Sequence, residues 1–270
     1  MKSDKIDRAH LRDPDDRTHV IHRYPAEDRW ADLIERYWLP VWSVPAGAEA
    51  PQRVLQYPVC LIVISPTYAR FYGVVSGMSI TTLSGDGWGA GIMFRPAAGF
   101  LLAGSVDAYT DRYVDVSEVL GESEERMTHD IRTIMDDDPQ AEANHREVME
   151  RYQAEFERLL PVDAEGRLIN EIVTFVETEP TVVRVAQVCE RFAVTERTLQ
   201  RLVRRRLGLT PKWLIQRRRL QEAAERLRDR SADAAELALL LGYADQAHFI
   251  HDFRRVTAMT PGQFSSRFGE

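Results

Sequence analysis

One small structural plan occurs twice within residues 183–268, and it restricts what this part of the chain can fold into. Each copy consists of a short apolar helix, a tight turn and a second helix with polar residues on its outer face. The first copy turns at residues 192–194 and restarts at Thr195, and the second turns at residues 241–243 and restarts at Asp245. The repeat predicts two helix-turn-helix units in one all-α domain, an arrangement typical of proteins that read DNA.

The charge of the chain is unevenly distributed. The formal net charge is −7, which by itself argues against a nucleic-acid partner. Residues 161–270 hold 18 basic and 15 acidic residues, net +3, whereas the rest of the chain holds 17 and 27, net −10. Residues 184–230 alone hold 14 basic and 5 acidic residues, net +9. A basic region on one module favours DNA binding, and an arginine-rich solvated helix surface is the alternative interpretation.

The second helix of the first unit carries the residue types that hydrogen-bond to base edges. Thr195 is suited to cap it, with Thr198 three positions later. Arginine pairs with guanine and glutamine with adenine, and the first turns of a recognition helix reach the bases. We therefore expect Arg197, Gln200 and Arg201 to contact bases. The residues expected to contact phosphates are Thr195, Arg204, Arg205 and Arg206.

A long helix is expected to join the two units. Gly208 suits the end of the first reading helix, and Thr210-Pro211 suits the start of a helix that continues to about Arg228. Such a helix of roughly 18 residues spans about 27 Å, close to the roughly 34 Å helical repeat of DNA. Both units would then face successive major grooves on one side of the duplex.

The outer face of the second unit is less basic than that of the first. Its candidate residues are Gln246, Ala247, His248, His251, Arg254 and Arg255. We expect Arg254 and Arg255 to contact phosphates, and we expect this unit to position the protein more than it reads sequence. His248 and His251 have a spacing that a metal pair could use, but no third ligand is apparent, so polar surface roles are favoured.

The sequence before residue 161 changes from strand patterns to helix patterns. Residues 1–22 are polar and non-periodic, which predicts a flexible tail, and the apolar spacing in residues 27–38 predicts a helix that ends at Pro40. Short β-branched and aromatic runs separated by turn residues fill residues 41–113, which is typical of an antiparallel barrel or sandwich. Residues 121–160 predict acidic helices with a narrow apolar seam.

These patterns together predict an α+β protein. An antiparallel β-barrel with flanking helices is expected over residues 23–120, a helical linker over 121–160 and the all-α domain over 161–270. The seam of the linker leaves two partners open, namely the barrel or a second copy of the chain, and the second would give a homodimer.

The barrel region carries no recognisable catalytic set. None of the seven histidines lies in residues 41–113, which argues against a histidine metal site there, and Cys60 lies in the most apolar run, where it suits a core role. We expect no enzyme activity, no metal and no cofactor, while a catalytic barrel fused to a DNA-binding module remains the alternative. Aromatic residues and one cation could instead line an apolar ligand pocket, although each suits a core as well. The candidates are Tyr57, Tyr72, Trp88, Phe94 and Arg95.

The sequence also bears on where the protein is found. Its two cysteines fall in different predicted domains, which fits a reducing compartment. The first residues contain no apolar signal-peptide core, and the longest apolar run is far too short to span a bilayer. We expect a cytoplasmic protein with no membrane partner.

The stretches VTERTLQRLVRRRLGLTPKWLIQRRRLQEAAERLR and LALLLGYADQAHFIHDFRRVTAMTPGQF resemble the DNA-binding domain of the AraC/XylS family of bacterial transcription regulators. The resemblance covers about a hundred residues, with turns, caps and reading helices in the same order and spacing. It departs at Cys189, where the family usually has Ala, and at Ala193, where Gly is common, which implies strain if Ala193 has a positive φ. It implies base contacts from Arg197, Gln200, Arg201, Gln246, Ala247 and His251.

Residues 24–120 resemble more weakly the N-terminal domain of a subgroup of these regulators, through RYW, YGVVSG and GAGIMFRPAAGF. That resemblance implies a cupin-like barrel that senses a small molecule or mediates dimerisation. The implied partners are double-stranded DNA, RNA polymerase and, in the sensing case, a small-molecule effector. A domain that serves assembly alone, with no ligand, remains open.

Overall fold

A computed structural model describes residues 9–11, 16–55 and 57–269. The described strands are β1 (His10–Leu11), β2 (His19–Pro25), β3 (Ile34–Ser43), β4 (Ala50–Leu55), β5 (Leu61–Ile64), β6 (Ala69–Tyr72), β7 (Met78–Leu83), β8 (Asp86–Trp88), β9 (Ala90–Phe94) and β10 (Tyr113–Asp115). The described α-helices are α1 (Ala98–Ala103), α2 (Ser117–Leu120), α3 (Ser123–Asp137), α4 (Glu142–Phe156), α5 (Ala164–Thr178), α6 (Val185–Phe192), α7 (Glu196–Leu207), α8 (Pro211–Arg228), α9 (Ala234–Leu240), α10 (Gln246–Thr257) and α11 (Pro261–Phe268). The α+β class is therefore correct, with antiparallel sheets before the helical domain.

The strands form two antiparallel sheets that do not close into the predicted barrel. The smaller sheet has the order β1-β4-β7, and the larger has the order β10-β6-β5-β9-β3-β2, with β8 also paired to β3. Within the described residues, β10 and β2 stand at opposite ends of the larger sheet and do not pair with each other. The chain changes sheet several times, and at one of these places Gly85, with a φ of +57°, permits the sharp turn between β7 and β8.

Helices cover the apolar face of the larger sheet, which is the physical reason why the sheet need not close on itself. Ile62 and Ile92 are neighbours in the sheet, are fully buried, and belong to one core with Tyr152 of α4. The Tyr152 hydroxyl also donates a 2.8 Å hydrogen bond to the carbonyl of Ala90. The sequence left open whether the helices of residues 121–160 pack on the strands of the N-terminal region or on a second copy of the chain. In the structure they pack on the larger sheet.

Two predictions about the N-terminal region were wrong. Residues 27–38 do not form a helix: a 3₁₀ turn at Asp28–Trp30 leads into β3, and the apolar residues with helical spacing are buried against the sheet. Pro40 lies inside β3 rather than ending a helix. It falls where the partner of β3 changes from β9 to β8, a gap in the ladder that tolerates a residue without an amide hydrogen.

The predicted flexible tail of residues 1–22 is also corrected where it is described. β2 begins at His19 and pairs with β3 along its whole length, and His10–Leu11 pairs with β4. Residues 1–8 and 12–15 lie outside the described residues, so for them the flexible tail stays a prediction. Neither strand alternates regularly between buried and exposed residues, so the period-two signal that marks a strand in a sequence is missing here, which explains the error.

The cores of the molecule cross the predicted boundary at residue 161. One apolar core joins the larger sheet, α3 to α7 and the start of α8, while a second joins the rest of α8 with α9 to α11 and with a few N-terminal residues. Asn170 of α5 reinforces the first core, because its amide donates to the Asp32 carbonyl at 2.8 Å and accepts from the Ala97 amide at 2.9 Å. The first helix-turn-helix unit thus packs directly on the sheet domain.

Candidate nucleic-acid interface

The first helix-turn-helix unit consists of α6, a left-handed turn residue and α7. Ala193 has φ 51° and ψ 41°, so the strain expected at this position is present. Thr195 caps α7, because its hydroxyl accepts a 3.2 Å hydrogen bond from the Thr198 amide. The cap and the turn set the direction of α7 relative to α6. The buried side chains of Leu199 and Val203 hold α7 against the core.

Three of the predicted base-contacting residues share the exposed side of α7. Arg197, Gln200 and Arg201 are all exposed, and they occupy the first two turns of the helix. The Gln200 amide donates a 3.1 Å hydrogen bond to Glu196, a contact that must open before Gln200 can reach a base. This side of α7 presents donors suited to guanine and adenine edges in the major groove.

The three arginines further along α7 differ in their exposure and in their ion-pair partners. Arg204 is exposed, 4.0 Å from Asp107, and Arg205 lies 3.3 Å from Glu165 and stacks over Phe100. Arg206 is fully buried and ion-paired to Asp163 at 2.6 Å. The prediction that Arg206 contacts phosphate is therefore wrong, since its charge is used inside the protein.

The connecting helix α8 uses its arginines for packing as well. Thr210 accepts a 3.2 Å hydrogen bond from the Trp213 amide and Pro211 opens the helix, as predicted. Arg217 and Arg218 are buried, and the Arg219 guanidinium lies 3.9 Å from the ring centre of Tyr243. The net charge counted over residues 184–230 therefore overstates the positive charge available to DNA.

The second unit repeats the geometry of the first, but its outer face is less basic. Asp245 caps α10 by accepting a 2.8 Å hydrogen bond from the His248 amide, after a turn in which Gly242 has φ 71°. The buried Asp252 lies between two polar residues of this face, because the side chains of His248 and Arg255 each lie 3.6 Å from its carboxylate. All six residues predicted for the outer face of α10 are exposed, namely Gln246, Ala247, His248, His251, Arg254 and Arg255.

The predicted ligand-pocket residues do not line one cavity. Trp88 and Phe94 are core residues: the Trp88 indole donates to Asp136 at 2.9 Å, and Phe94 packs edge-on against a buried ring of α4. Tyr57 and Arg95 line a cavity of about 590 Å³ between the larger sheet, α5 and α8, which we call the α5–α8 cavity. Tyr72 lines a separate cavity of about 630 Å³, the tyrosine cavity.

The tyrosine cavity contains an arginine that sequence reasoning missed. The Arg70 guanidinium lies 4.3 Å from the ring centre of Tyr68 and 4.1 Å from that of Tyr113. Burial raises the pKa of Tyr72 to about 12, so its hydroxyl stays neutral. Residue 68 directly precedes β6, and residues 70 and 72 lie in it, so the three alternate along the chain with a period of two that could have identified the group.

Neither a metal centre nor a membrane segment is found in the part of the chain that the structure describes. No group of three or more His, Cys, Asp or Glu side chains is arranged to hold a metal in residues 9–11, 16–55 and 57–269. Within the same residues, no helix combines the length and apolar character needed to cross a bilayer. Burial raises the pKa of the Cys60 thiol to about 12, in keeping with its predicted core role.

Two family models match the chain. Residues 188–267 match a helix-turn-helix domain, and residues 22–115 match a Domain of unknown function (DUF6597). The HTH-type transcriptional activator RhaS of Yersinia pestis (strain Pestoides F) is 30% identical over 105 residues, which are 39% of this chain and 38% of that protein. RhaS of Escherichia coli (strain SE11) is 36% identical over 74 residues, 27% of each chain. The chain thus spans less than two fifths of the length of these curated relatives.

Solved structures give weaker matches. ToxT from Vibrio cholerae O395 covers 93% of this chain and 97% of its own, with 11% identity and a TM-score of 0.40. The C-terminal domain of AraT, a response regulator from Geobacillus stearothermophilus, covers 41% of this chain and 90% of its own, with 20% identity and a TM-score of 0.36.

Proposed function

We propose, from the premise that the C-terminal domain of this chain belongs to the AraC/XylS family of transcription regulators, that the protein regulates transcription by binding specific DNA sequences. One observation carries the proposal. Arg197, Gln200 and Arg201 stand exposed on one side of a capped helix whose other side is fixed in the core. A rigid helix with arginine and glutamine on its outer face suits direct reading of base edges in the major groove.

The two units divide the work unequally. Helix α7 reads sequence through Arg197, Gln200 and Arg201, and α10 fixes the register through Gln246 and Ala247. His251 adds one donor to the second contact. The expected phosphate contacts come from Thr195, Arg204, Arg205, Arg254 and Arg255. The helix α8 has 18 residues, and at about 1.5 Å per residue it spans about 27 Å, which suits two successive grooves.

The test is fluorescence anisotropy with the full chain and labelled promoter fragments. Replacing Arg197 and Gln200 together by Ala removes two bidentate contacts, each of about 1–3 kcal/mol, so preference for the best fragment over a scrambled one should fall by at least about tenfold. Arg126→Ala is the matched control, because this arginine is highly exposed on α3, away from both reading helices. Unchanged sequence preference in the double variant would overturn the proposal.

The sheet domain is proposed to control when the helical domain meets DNA. Small-molecule sensing is favoured over an assembly role alone, because two cavities of about 590 and 630 Å³ adjoin the larger sheet. The shared core gives any change in the sheet a direct mechanical connection to α7. Homodimerisation and contact with RNA polymerase, as in transcriptional activators, complete the proposal, and a protein with these partners acts in the cytoplasm.

A further inference from the structure

The tyrosine cavity lies between the two sheets. Arg70, Tyr72 and Tyr113 line it from β6 and β10 of the larger sheet, and residues 79–83 line it from β7 of the smaller sheet. Its volume is about 630 Å³, and its rim is open, because Tyr113 and Ile80 are each more than half exposed. A small molecule can therefore enter it without separating the sheets.

Two tyrosine rings flank the guanidinium of Arg70 in this wall. The guanidinium carbon lies 4.3 Å from the ring centre of Tyr68 and 4.1 Å from that of Tyr113. Tyr68 comes two residues before Arg70, whereas Tyr113 is paired with Tyr72, two residues after it, so the rings approach from opposite sides along β6. Aromatic rings contact the flat faces of a guanidinium, and its N–H donors, which lie in its plane, stay directed away from them.

The N–H donors of Arg70 have few partners inside the protein. Among the described residues the hydroxyl of Tyr72 is the one group that hydrogen-bonds to Arg70, and no carboxylate oxygen lies within 4.0 Å of it. Asp115 stands directly opposite Arg70 in the ladder, but its carboxylate accepts from the amide and the hydroxyl of Ser117 at 3.0 and 2.6 Å. A planar carboxylate on a bound molecule matches the donors that remain.

The two carboxylates in the wall of the cavity are not placed to pair with Arg70. Asp111 accepts hydrogen bonds from the amide and the hydroxyl of Ser76, both at 2.7 Å. Asp86 is paired with Ser43 of β3, and β5 and β9 stand between β3 and β6, a separation of about 14 Å at the usual strand spacing. Arg112 adds a second cation to the wall, beside Tyr113 in the chain.

The opposite wall, formed by β7, is rich in groups that hydrogen-bond to hydroxyls. Thr81 and Thr82 are exposed on this strand, and Ser84 directly follows it. Within the described residues β7 pairs with β4 alone, so its other edge presents backbone N–H and C=O groups that no strand uses. Hydroxyl side chains and backbone groups together offer both donors and acceptors, which suits a molecule with several hydroxyl groups.

We propose that the tyrosine cavity binds a small carboxylic acid that carries several hydroxyl groups. Its carboxylate pairs with Arg70 between the rings of Tyr68 and Tyr113, and its hydroxyls bond to Thr81, Thr82 and the outer edge of β7. A neutral sugar is disfavoured because it offers no anion to Arg70. An apolar acid is disfavoured because it takes the edge of β7 out of water without replacing the hydrogen bonds that water makes there.

The segment that closes one side of the cavity also contacts the helical domain. Thr110, directly before the lining residue Asp111, donates a 3.3 Å hydrogen bond to the carbonyl of Gly208 at the end of α7. Asp111 holds Ser76, whose carbonyl accepts a 3.1 Å hydrogen bond from the indole of Trp213 in α8. An occupant of the cavity therefore adjoins contacts to both helices, and its effect on DNA binding rests on the proposed function.

The binding test uses the full chain without DNA and five probes. Glucuronate, galacturonate and gluconate combine a carboxylate with hydroxyls, whereas glucose lacks the carboxylate and cyclohexanecarboxylate lacks the hydroxyls. Each is titrated by calorimetry and thermal shift up to ~10 mM. The best hydroxylated acid should bind at least about tenfold more tightly than glucose or cyclohexanecarboxylate. Equal binding by either of these two, or no binding by any probe, would overturn the proposal.

Two variants locate the site. Arg70→Gln should weaken the best hydroxylated acid at least about tenfold, whereas Arg126→Gln, which changes a highly exposed arginine of α3 outside the cavity, should leave its affinity unchanged. The pair Thr81→Val and Thr82→Val keeps Arg70 and the shape of β7, so it tests the site even if Arg70→Gln misfolds. It should weaken the hydroxylated acid about fivefold but not cyclohexanecarboxylate. Unchanged affinity for the acid in this pair contradicts the assignment.

The consequence for DNA is measured separately by anisotropy titrations with and without the best acid. The two DNA affinities should differ in the natural chain. Thr110→Val removes the hydrogen bond to Gly208 outside the cavity wall, so it should keep acid binding and reduce that difference. Calorimetric binding with no DNA binding at all would keep the site and reject the regulator, while DNA binding with no acid binding would do the reverse.

Discussion

Single residues fix how α7 meets the sheet domain. Gly208 ends α7 with φ +70°, and its carbonyl accepts a 3.3 Å hydrogen bond from the Thr110 hydroxyl. A Cβ atom at this position would lie 2.1 Å from Thr110 Oγ1 and 3.0 Å from the Asp107 backbone. Two constraints therefore favour glycine at this position. The backbone has a positive φ, and the turn at Val106–Tyr109 approaches too closely for a side chain.

We predict that Gly208→Ala lowers the free energy of unfolding by about 2–3 kcal/mol, through left-handed strain and the clash with Thr110. Urea denaturation followed by circular dichroism measures the change. Gly262→Ala is the control, because a Cβ there meets no atom within 4 Å and the residue lies in α11. It should change stability by less than about 1 kcal/mol, and equal losses in both variants would contradict the argument.

At the scale of elements, three ion pairs join the start of α5 to the end of α7, and the shortest is that between Asp163 and Arg206. Asp163 caps α5 through a 2.6 Å hydrogen bond from the Gly166 amide, and it also receives the buried Arg206 at 2.6 Å. Burial raises the pKa of Asp163, but hydrogen bonds from Arg206 and Gly166 outweigh it, so the pKa lies below its usual value. The charged carboxylate is thus part of the folded state.

The lowered pKa of Asp163 fixes the sign of a pH effect. Its contribution to stability is complete above the unfolded pKa, about 3.9, and is lost as the pH falls through the lower folded pKa. Asp163→Asn keeps a good capping residue but removes the nearer of the two carboxylates beside Arg206, Glu165 being the other at 3.5 Å. Because Asp163 is half exposed and solvent screens the pair, we predict a loss of only about 1–2 kcal/mol at pH 7. The difference from the natural chain should shrink below about pH 4.

Denaturation curves at several pH values test this prediction. Asp245→Asn serves as the control, since Asp245 caps α10 through the His248 amide in the same way, with no buried arginine beside it in the described structure. The control should lose less than about 1 kcal/mol at pH 7. A loss in Asp163→Asn that stays constant down to pH 2 would show that the charge is not responsible.

Elements with local signals could be predicted from the sequence, and those that depend on distant partners could not. Thr195, Thr210 and Asp245 each cap the helix predicted for them, because a cap involves residues within three positions. The strand β3 was mistaken for a helix, because its burial is decided by β2 and β9 rather than by its own spacing. Arg206 was misread for the same reason.

At the scale of the whole molecule, the sheet domain and the first helix-turn-helix unit form one structure. Their apolar residues share a core, whereas α9 to α11 belong to a second core with the later part of α8 and a few N-terminal residues, among them Leu55, Tyr57 and Val59. Residues before position 161 supply most of the buried residues of the first core but only a minority of those of the second, and the Gln221 amide adds a 3.3 Å hydrogen bond to the Leu55 carbonyl. The two units should therefore differ in how much they depend on the sheet domain.

We predict that a fragment of residues 161–270 keeps the second unit folded but loosens the first. Removing the sheet domain exposes Ile169 and Val173 of α5, and it takes Phe100 from beside Arg206, whose guanidinium lies 4.5 Å from that ring. Amide hydrogen exchange with mass spectrometry should show faster exchange in α6 and α7 than in the full chain, with α10 and α11 little changed. The full chain at the same pH is the reference.

The distribution of hydrogen exchange along the fragment, rather than its total, shows whether the helical domain after residue 161 folds independently or depends on the sheet domain. Uniform protection in the fragment would mean that the helical domain folds alone and that contact with the sheet domain adds no stability to it. Selective loss in α6 and α7 would mean that the sheet domain completes the unit that presents Arg197 and Gln200. In that case a change in the sheet reaches the exposed face of α7, which is proposed to contact DNA, through the packing of one core, because no flexible linker intervenes.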